Sequence, residues 1–398
     1  MCEINQQSQN FINIISAHIN RVEPELAEPQ WNEIVELANI HNLSAMVWAS
    51  IKDKTACDDE AVLNKLKNSF NATVQYSVVQ ELVTEGLVAL LNRNKISHIL
   101  FKGFVLRELY PCKELRTMGD IDIIVKPSQQ EEVHRLLLEN GFTFDELNSH
   151  ADVRNYEKNR VCYEIHTAIV SKNVYDDVDA VEYFKDSFKH AHTVKDFTYE
   201  FSNEHHLIYL LQHMAKHFKF SGCGVRMLLD IPIFIKSYGK ELDWEYIKGE
   251  LEALGLLQFC CNIFALCRLW FNMDTPFESE LDKEQLGVIG SYIMAGGVFG
   301  YENKSIDALR INNGNAGFLK KIINILGLIF PSYSHLSERY VWFKGTPKWL
   351  LPVGWVRLWW YRIVKKRENG IYRLKAALRG SDDASKHNSV LNIIGLKK

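Results

Sequence analysis

Asp120 and Asp122 lie inside an otherwise apolar run, GDIDIIV, and carry the strongest chemical signal in the chain. Side chains alternate across a strand, so both carboxylates point one way while Ile121 and Ile123 point the other. Two bare carboxylates on one strand face repel, and burying them costs roughly several kcal/mol. A divalent cation is the usual remedy, and hard oxygen ligands at this spacing suit Mg²⁺. A third acid, Glu164, sits between apolar neighbours in a separate strand-like run, RVCYEIHTAIV. Beside the aspartates it would complete a two-ion site or take the proton from an attacking hydroxyl. Asp-x-Asp alone is a weak pattern that also arises in helix-capping loops. The strand context, the preceding Gly119 and the third acid set this one apart.

Cationic partners lie close by in sequence. Lys102-Gly103 ends an apolar run and opens a helix, whose N-terminus presents free N–H groups to an anion. Glycine lets a phosphate approach the backbone closely, although an ordinary strand-to-helix turn would look the same. Arg116, four residues before Asp120, could hold a phosphate by its planar fork or stand solvated in a loop.

The elements that must position these groups follow from periodicity. Trp31, Ile34, Val35 and Ala38, and then the run Asp59–Leu91, recur at helical spacing. Ile96–Phe101 reads as a first strand and Phe104–Tyr110 as a helix closed by Pro111. Asp120–Val125 is the second strand, Gln130–Asn140 a helix ended by Gly141, and Arg160–Val170 the third strand. From Glu204 to Lys344 the period is helical again, with breaks at Gly296-Gly297 and Asn312-Asn313-Gly314. The expected class is α+β, a small mixed β-sheet flanked by helices. The expected organisation is a helical region over 1–95, a catalytic domain over 96–200, a helical domain over 201–344 and a basic aromatic tail over 345–398.

Composition excludes a disordered chain: 47% of the 398 residues are hydrophobic and 12% aromatic. Net charge is −3, yet residues 316–398 hold 16 Lys+Arg against 4 Asp+Glu, which leaves −15 for the rest. The eight cysteines show no CxxC pair, MCEINQQSQN lacks the parts of a signal peptide, and no apolar run is long enough to span a bilayer. These features predict a reduced, cytoplasmic protein, with the basic end meeting an anionic surface.

The arrangement KGxxLxxxYP…R…GDIDxxV…EIH resembles the minimal nucleotidyltransferases of the DNA polymerase beta superfamily. It is most similar to a bacterial family of uncharacterised nucleotidyltransferases. On that likeness Asp120, Asp122 and Glu164 match the metal-binding, catalytic carboxylates, Lys102 and Gly103 the phosphate-binding turn, Arg116 the arginine, and His166 the histidine after the third acid. The lysine-glycine pair departs from the glycine and small hydroxyl residue common in the wider superfamily. The likeness extends to His213, Lys216 and His217 on one helix and to Arg226 and Asp230 on the next, with a nucleotide or acceptor role. Read plainly, the histidines are polar helix-face residues and Arg226–Asp230 is an i,i+4 ion pair. No third ligand accompanies His213 and His217 as a metal site.

The resemblance implies transfer of a nucleoside monophosphate from a nucleoside triphosphate, with Mg²⁺ as cofactor and pyrophosphate released. The acceptor is unspecified: small molecule, glycan, tRNA or protein. Two alternatives are a toxin-like enzyme that modifies tRNA or protein, and a non-catalytic nucleotide-binding adaptor docked on a membrane. The run WFKGTPKWLLPVGWVRLWWYRIVKKREN, with five tryptophans and seven basic residues, suits an anionic membrane surface, stacking on nucleic-acid bases, or a docking helix with a basic rim.

Overall fold

The structure, a computed structural model, describes residues 4–52, 57–170, 173–175, 177–298, 300, 326–327, 329–360 and 381–396. Helix α1 (Gln6–Asn20) begins where the Asn5 side chain accepts the Ser8 N–H, and it buries Phe11, Ile12, Ile14 and Ile15. Helices α2 (Trp31–Ile40) and α3 (Ser44–Ile51) pack beside it. Helix α4 (Glu60–Arg93) starts at the Asp59 cap and runs about 50 Å. Its first turns place Val62 and Leu66 in the helical core, and its last turns place Leu87 and Leu91 on the sheet.

Seven strands form that sheet among the described residues: β1 (His98–Leu100), β2 (Asp120–Val125), β3 (Thr143–Asp145), β4 (Val153–Lys158), β5 (Val161–His166), β6 (Ala191–Lys195) and β7 (Thr198–Phe201). Their order is β3-β4-β5-β2-β1-β7-β6. The sheet is mixed, with β2 parallel to β5 and β1 parallel to β7, and the other neighbours antiparallel. A one-turn helix, α5 (Gly103–Leu106), follows β1, and α6 (Gln130–Glu139) follows β2.

Period two divides the sheet into two faces. Ile121, Ile123, Val125, Val161, Tyr163 and Ile165 pack on Leu87 and Leu91 of α4 and on Val133, Leu136 and Leu137 of α6. Asp120, Asp122, Glu164 and His166 share the opposite face. On that side Ile99, Phe101 and Ile124 join the core of the helical part. That part holds the short α7 (Ala180–Tyr183), then α8 (Asn203–Phe220), α9 (Val225–Tyr238), α10 (Trp244–Ala253), α11 (Leu257–Phe271) and α12 (Lys283–Gly296).

Several expected boundaries move. The first strand shrinks to His98–Leu100. The helix expected over Phe104–Tyr110 is one α turn followed by a 3₁₀ turn ending at Leu109. The third strand is shorter at both ends. Asn159 and Arg160, with φ of 51° and 64°, form the β4–β5 hairpin turn, while Ile169 and Val170 leave the sheet for the helical core. Strands β3, β4, β6 and β7 were not expected. Their mostly polar, exposed sequences carry little apolar alternation.

The break expected at Gly297 is present, where φ is 80° and a Cβ would strike Ile40. The expected Asn312-Asn313-Gly314 break lies outside the described residues. Helices α13 (Tyr333–Arg339) and α14 (Leu351–Trp360) build a small separate cluster around Leu336, Tyr340, Phe343 and Leu358. Helix α15 (Ser381–Ile394) instead returns to the main core, where Val390, Leu391 and Ile394 are buried and the Asn262 amide donates to the Ile394 carbonyl at 3.2 Å. Among the described residues no helix is long and apolar enough to cross a membrane.

Candidate active site

The parallel register of β2 and β5 sets Asp122 directly beside Glu164, and Asp120 beside Cys162 one step earlier. Donor atoms of Asp122, Glu164 and His166 all lie within 4.8 Å of one another. His166 Nε2 is 2.9 Å from Asp122 Oδ1 and 3.3 Å from Glu164 Oε2, so its N–H donates between two carboxylates. Its Nδ1 is buried with no partner among the described residues. Burial opposes the imidazolium, but these two hydrogen bonds raise the His166 pKa above its usual value.

Lys102 ends the apolar run after β1 in a strained backbone conformation, φ 54° and ψ −129°. The strain delivers its ammonium to Asp122 Oδ1 at 2.7 Å, over the rings of Phe101 (5.0 Å) and Tyr209 (6.0 Å). Burial would raise the Asp122 pKa, but Lys102 and the His166 hydrogen bond hold it well below the carboxylate range. Burial would raise Glu164, but the His166 hydrogen bond together with the His166 and Lys102 charges lowers it. Asp120 goes the other way. Lost hydration in the cleft, and after it the Asp122 and Glu164 charges, push it up to about 6, even though its outer edge meets solvent.

A second, positive pole adjoins this acidic one. Asp230 on α9 takes Arg116 in a fork, Nε at 3.1 Å and Nη2 at 2.7 Å, and accepts the Tyr110 hydroxyl at 2.7 Å. Arg226, one turn earlier, donates from Nη1 to the carbonyl (2.9 Å) and hydroxyl (3.1 Å) of Thr117. Burial first, and after it the neighbouring Arg116 charge, lowers the Arg226 pKa to about 10. Asp230, the expected i,i+4 partner of Arg226, is the clasp of Arg116. Gly103 has a use other than the expected one. A Cβ there would run into Arg116 Nη1 and lie 3.0 Å from the Met118 side chain, so the missing side chain makes room for the guanidinium.

His213 and His217 stand one turn apart on α8, half-buried, with ring centroids 4.5 Å apart, and His213 is 5.8 Å from Tyr209. Burial and then the Lys102 charge push His213 far down. Burial and then Lys216 lower His217 to about 4, so both rings are neutral stacking or accepting surfaces. Phe101, Tyr110, Thr117 and Tyr209 were not expected at the site. Only Tyr209, four residues before His213, could have been found from helical spacing.

The donor set fits a divalent cation. Asp122 and Glu164 offer oxygens to a hard ion within 4.8 Å of each other and of His166, and Asp120 adds a carboxylate on the same strand face. His166 is better suited to orienting them, because its Nε2 proton is engaged by the carboxylates. A mixed sheet with Asp-x-Asp on one strand and a glutamate on its parallel neighbour, roofed by helices, is the architecture implied by the sequence resemblance to nucleotidyltransferases. Residues 27–272 match the family described as uncharacterised nucleotidyltransferase, well over half of the chain, and the protein belongs to that family. No curated protein and no solved structure matches it.

Proposed function

We propose that this nucleotidyltransferase moves a nucleoside monophosphate from a nucleoside triphosphate to an acceptor hydroxyl or phosphate oxygen. The acceptor oxygen forms a bond to the α-phosphorus, the bond from that phosphorus to the bridging oxygen breaks, and pyrophosphate leaves with the electron pair. The reading rests on one observation: a carboxylate pole, where Asp122, Glu164 and His166 bring donor atoms within 4.8 Å of one another on one sheet face, lies beside a guanidinium pole of Arg116 and Arg226. A triphosphate with its divalent cation is the ligand that suits both at once.

Asp120, Asp122 and Glu164 would hold that cation, Mg²⁺ by its oxygen chemistry, and it would neutralise the triphosphate and polarise the reacting phosphoryl group. Lys102 and Arg226 supply fixed positive charge for the phosphates, and Arg116, clasped by Asp230, aligns that edge. The Glu164 carboxylate, kept ionised by His166 and partly open to the cleft, accepts the proton from the acceptor hydroxyl. Tyr209, His213 and His217 offer neutral π surfaces to the base or the acceptor. The chemistry belongs in a reducing compartment such as the cytoplasm, since every described cysteine is free.

The test is pyrophosphate release from each nucleoside triphosphate, with and without Mg²⁺, followed by tracing α-³²P label into cell fractions. Label in a fraction with wild type and none with Asp120→Asn supports the assignment and identifies the acceptor class. Turnover unchanged in Asp120→Asn removes the carboxylate site from the reaction.

A further inference from the structure

Trp349, Val353, Val356 and Trp360 are 77%, 61%, 60% and 54% exposed, although all four are large and apolar. Their spacing of four, three and four residues puts them on one side of the 3₁₀ turn Lys348–Leu350 and of α14. The other side is fixed. Gly354 and Leu358 lie on Leu336 and Phe343, and a Cβ at Gly354 would come within 2.7 Å of the Phe343 ring. Trp355 Nε1 donates to the Pro331 carbonyl and Trp359 Nε1 to the Ile329 carbonyl, both at 2.8 Å. Arg357 holds Glu146 of the α/β body at 2.6 Å. Helix α14 is thus anchored by two tryptophans, while two others face solvent. Leu326, Ile329 and Phe330 are also partly exposed, with Phe330 packed against the anchoring Trp355 and Trp359.

Charge identifies the occupant. Exposed Lys344 and Lys348 precede the patch in the chain, and the stretch 326–360 that carries it holds four Lys+Arg against one Asp+Glu. A second copy would set this excess against itself. Single-stranded nucleic acid would find tryptophans for stacking, but Val353 and Val356 between them offer no ring. An anionic bilayer uses every part: tryptophan at the polar–apolar boundary, valine just below it, and lysine at the lipid phosphates.

We infer that the Trp349–Trp360 face seats the protein on an anionic membrane surface. The helix lies flat in the interface, because ten residues reach about 15 Å, half a bilayer's hydrocarbon thickness. This is independent of the transferase reading, since the patch shares no residue with the acidic cleft.

The experiment is co-sedimentation of the full chain with vesicles of phosphatidylcholine alone or mixed with phosphatidylglycerol. Partitioning onto the anionic vesicles should be at least ~10-fold stronger and should fall as salt shortens the screening length. Trp349→Ser combined with Trp360→Ser should reduce binding by ~10-fold or more with an unchanged melting temperature. If that pair lowers the melt, Val353→Ser alone should weaken binding without doing so. Equal binding to both vesicle types, no binding, or binding indifferent to these substitutions overturns the assignment. So does a doubled mass in light scattering that the substitutions abolish, which would give the face to a second copy.

Discussion

The Lys102 ammonium rests 2.7 Å from Asp122 Oδ1, so the chain supplies its own cation to the carboxylate best placed for a metal. The pair is nearly closed to water, and the lysine reaches it only through a strained backbone. Lys102→Met leaves Asp122 buried and short of charge, which should cost about 3–5 kcal/mol without divalent ion. Adding Mg²⁺ should recover more stability in this variant than in wild type. Denaturant melts at several Mg²⁺ concentrations test this, and identical shifts in both proteins would separate Lys102 from the metal.

Gly103→Ala places a methyl where the Arg116 guanidinium lies. That guanidinium is held in the buried Asp230 fork and Met118 crowds the same spot, so stability should fall by about 1–3 kcal/mol. The displaced fork should lower kcat/KM by on the order of 10²-fold, the usual effect of a misplacement of about 1 Å. A melt and a turnover assay on the same preparation decide it, and wild-type turnover would leave the glycine without a part in placing Arg116.

Glu164→Gln keeps shape but loses the proton acceptor. Turnover should fall by at least ~100-fold while nucleotide affinity, held by Lys102, Arg226 and the aspartates, changes little. Equilibrium binding of a non-hydrolysable triphosphate beside single-turnover kinetics separates these quantities. Lost affinity with retained turnover at saturation would assign Glu164 to ground-state binding instead.

His41 supplies a pH dependence away from the cleft. Its Nδ1 accepts the Val225 N–H at 3.4 Å and its Nε2 lies 3.2 Å from the Met294 carbonyl, which fixes a neutral ring. Burial lowers its pKa to about 4. As pH falls below 6.5 the unfolded chain takes up a proton that the native state refuses. Stability should therefore be intact above pH 6.5 and drop by up to ~1.4 kcal/mol per pH unit toward pH 4. His205 and His206, lowered to about 3 and 4 by burial, add to the same trend. Only the difference between wild type and His41→Gln isolates His41. Parallel stability–pH curves for the two would show that the ring is not held neutral.

The acidic half of the site was legible because it is local: period two sets Asp120 and Asp122 on one face whatever their neighbours do. Glu164 and His166 were legible for the same reason on their own strand. The Arg116–Asp230 clasp spans 114 positions, and no spacing rule reaches that far. The i,i+4 rule assigned Asp230 to Arg226 and missed Arg116, the residue Asp230 clasps. Apolar runs overstated strands at their ends, as at Ile169 and Val170, because burial in a helical core asks for the same residues as burial in a sheet. The edge strand β6, exposed along most of its length even at Val194, gave little pattern to find.

Helix α15 packs back onto α11 and α12, so the described residues 329–360 form an excursion along the chain between two elements of the main core. The aromatic module within that excursion is moored fore and aft rather than trailing as a free end. A single proteolytic nick in the excursion would leave two fragments held together by the α15 contacts, migrating as one particle until denatured. If α14 rests on a bilayer, the Arg357–Glu146 contact sets the α/β body beside that surface. Which acceptors can reach Glu164 is then set partly by the length of chain on either side of the module.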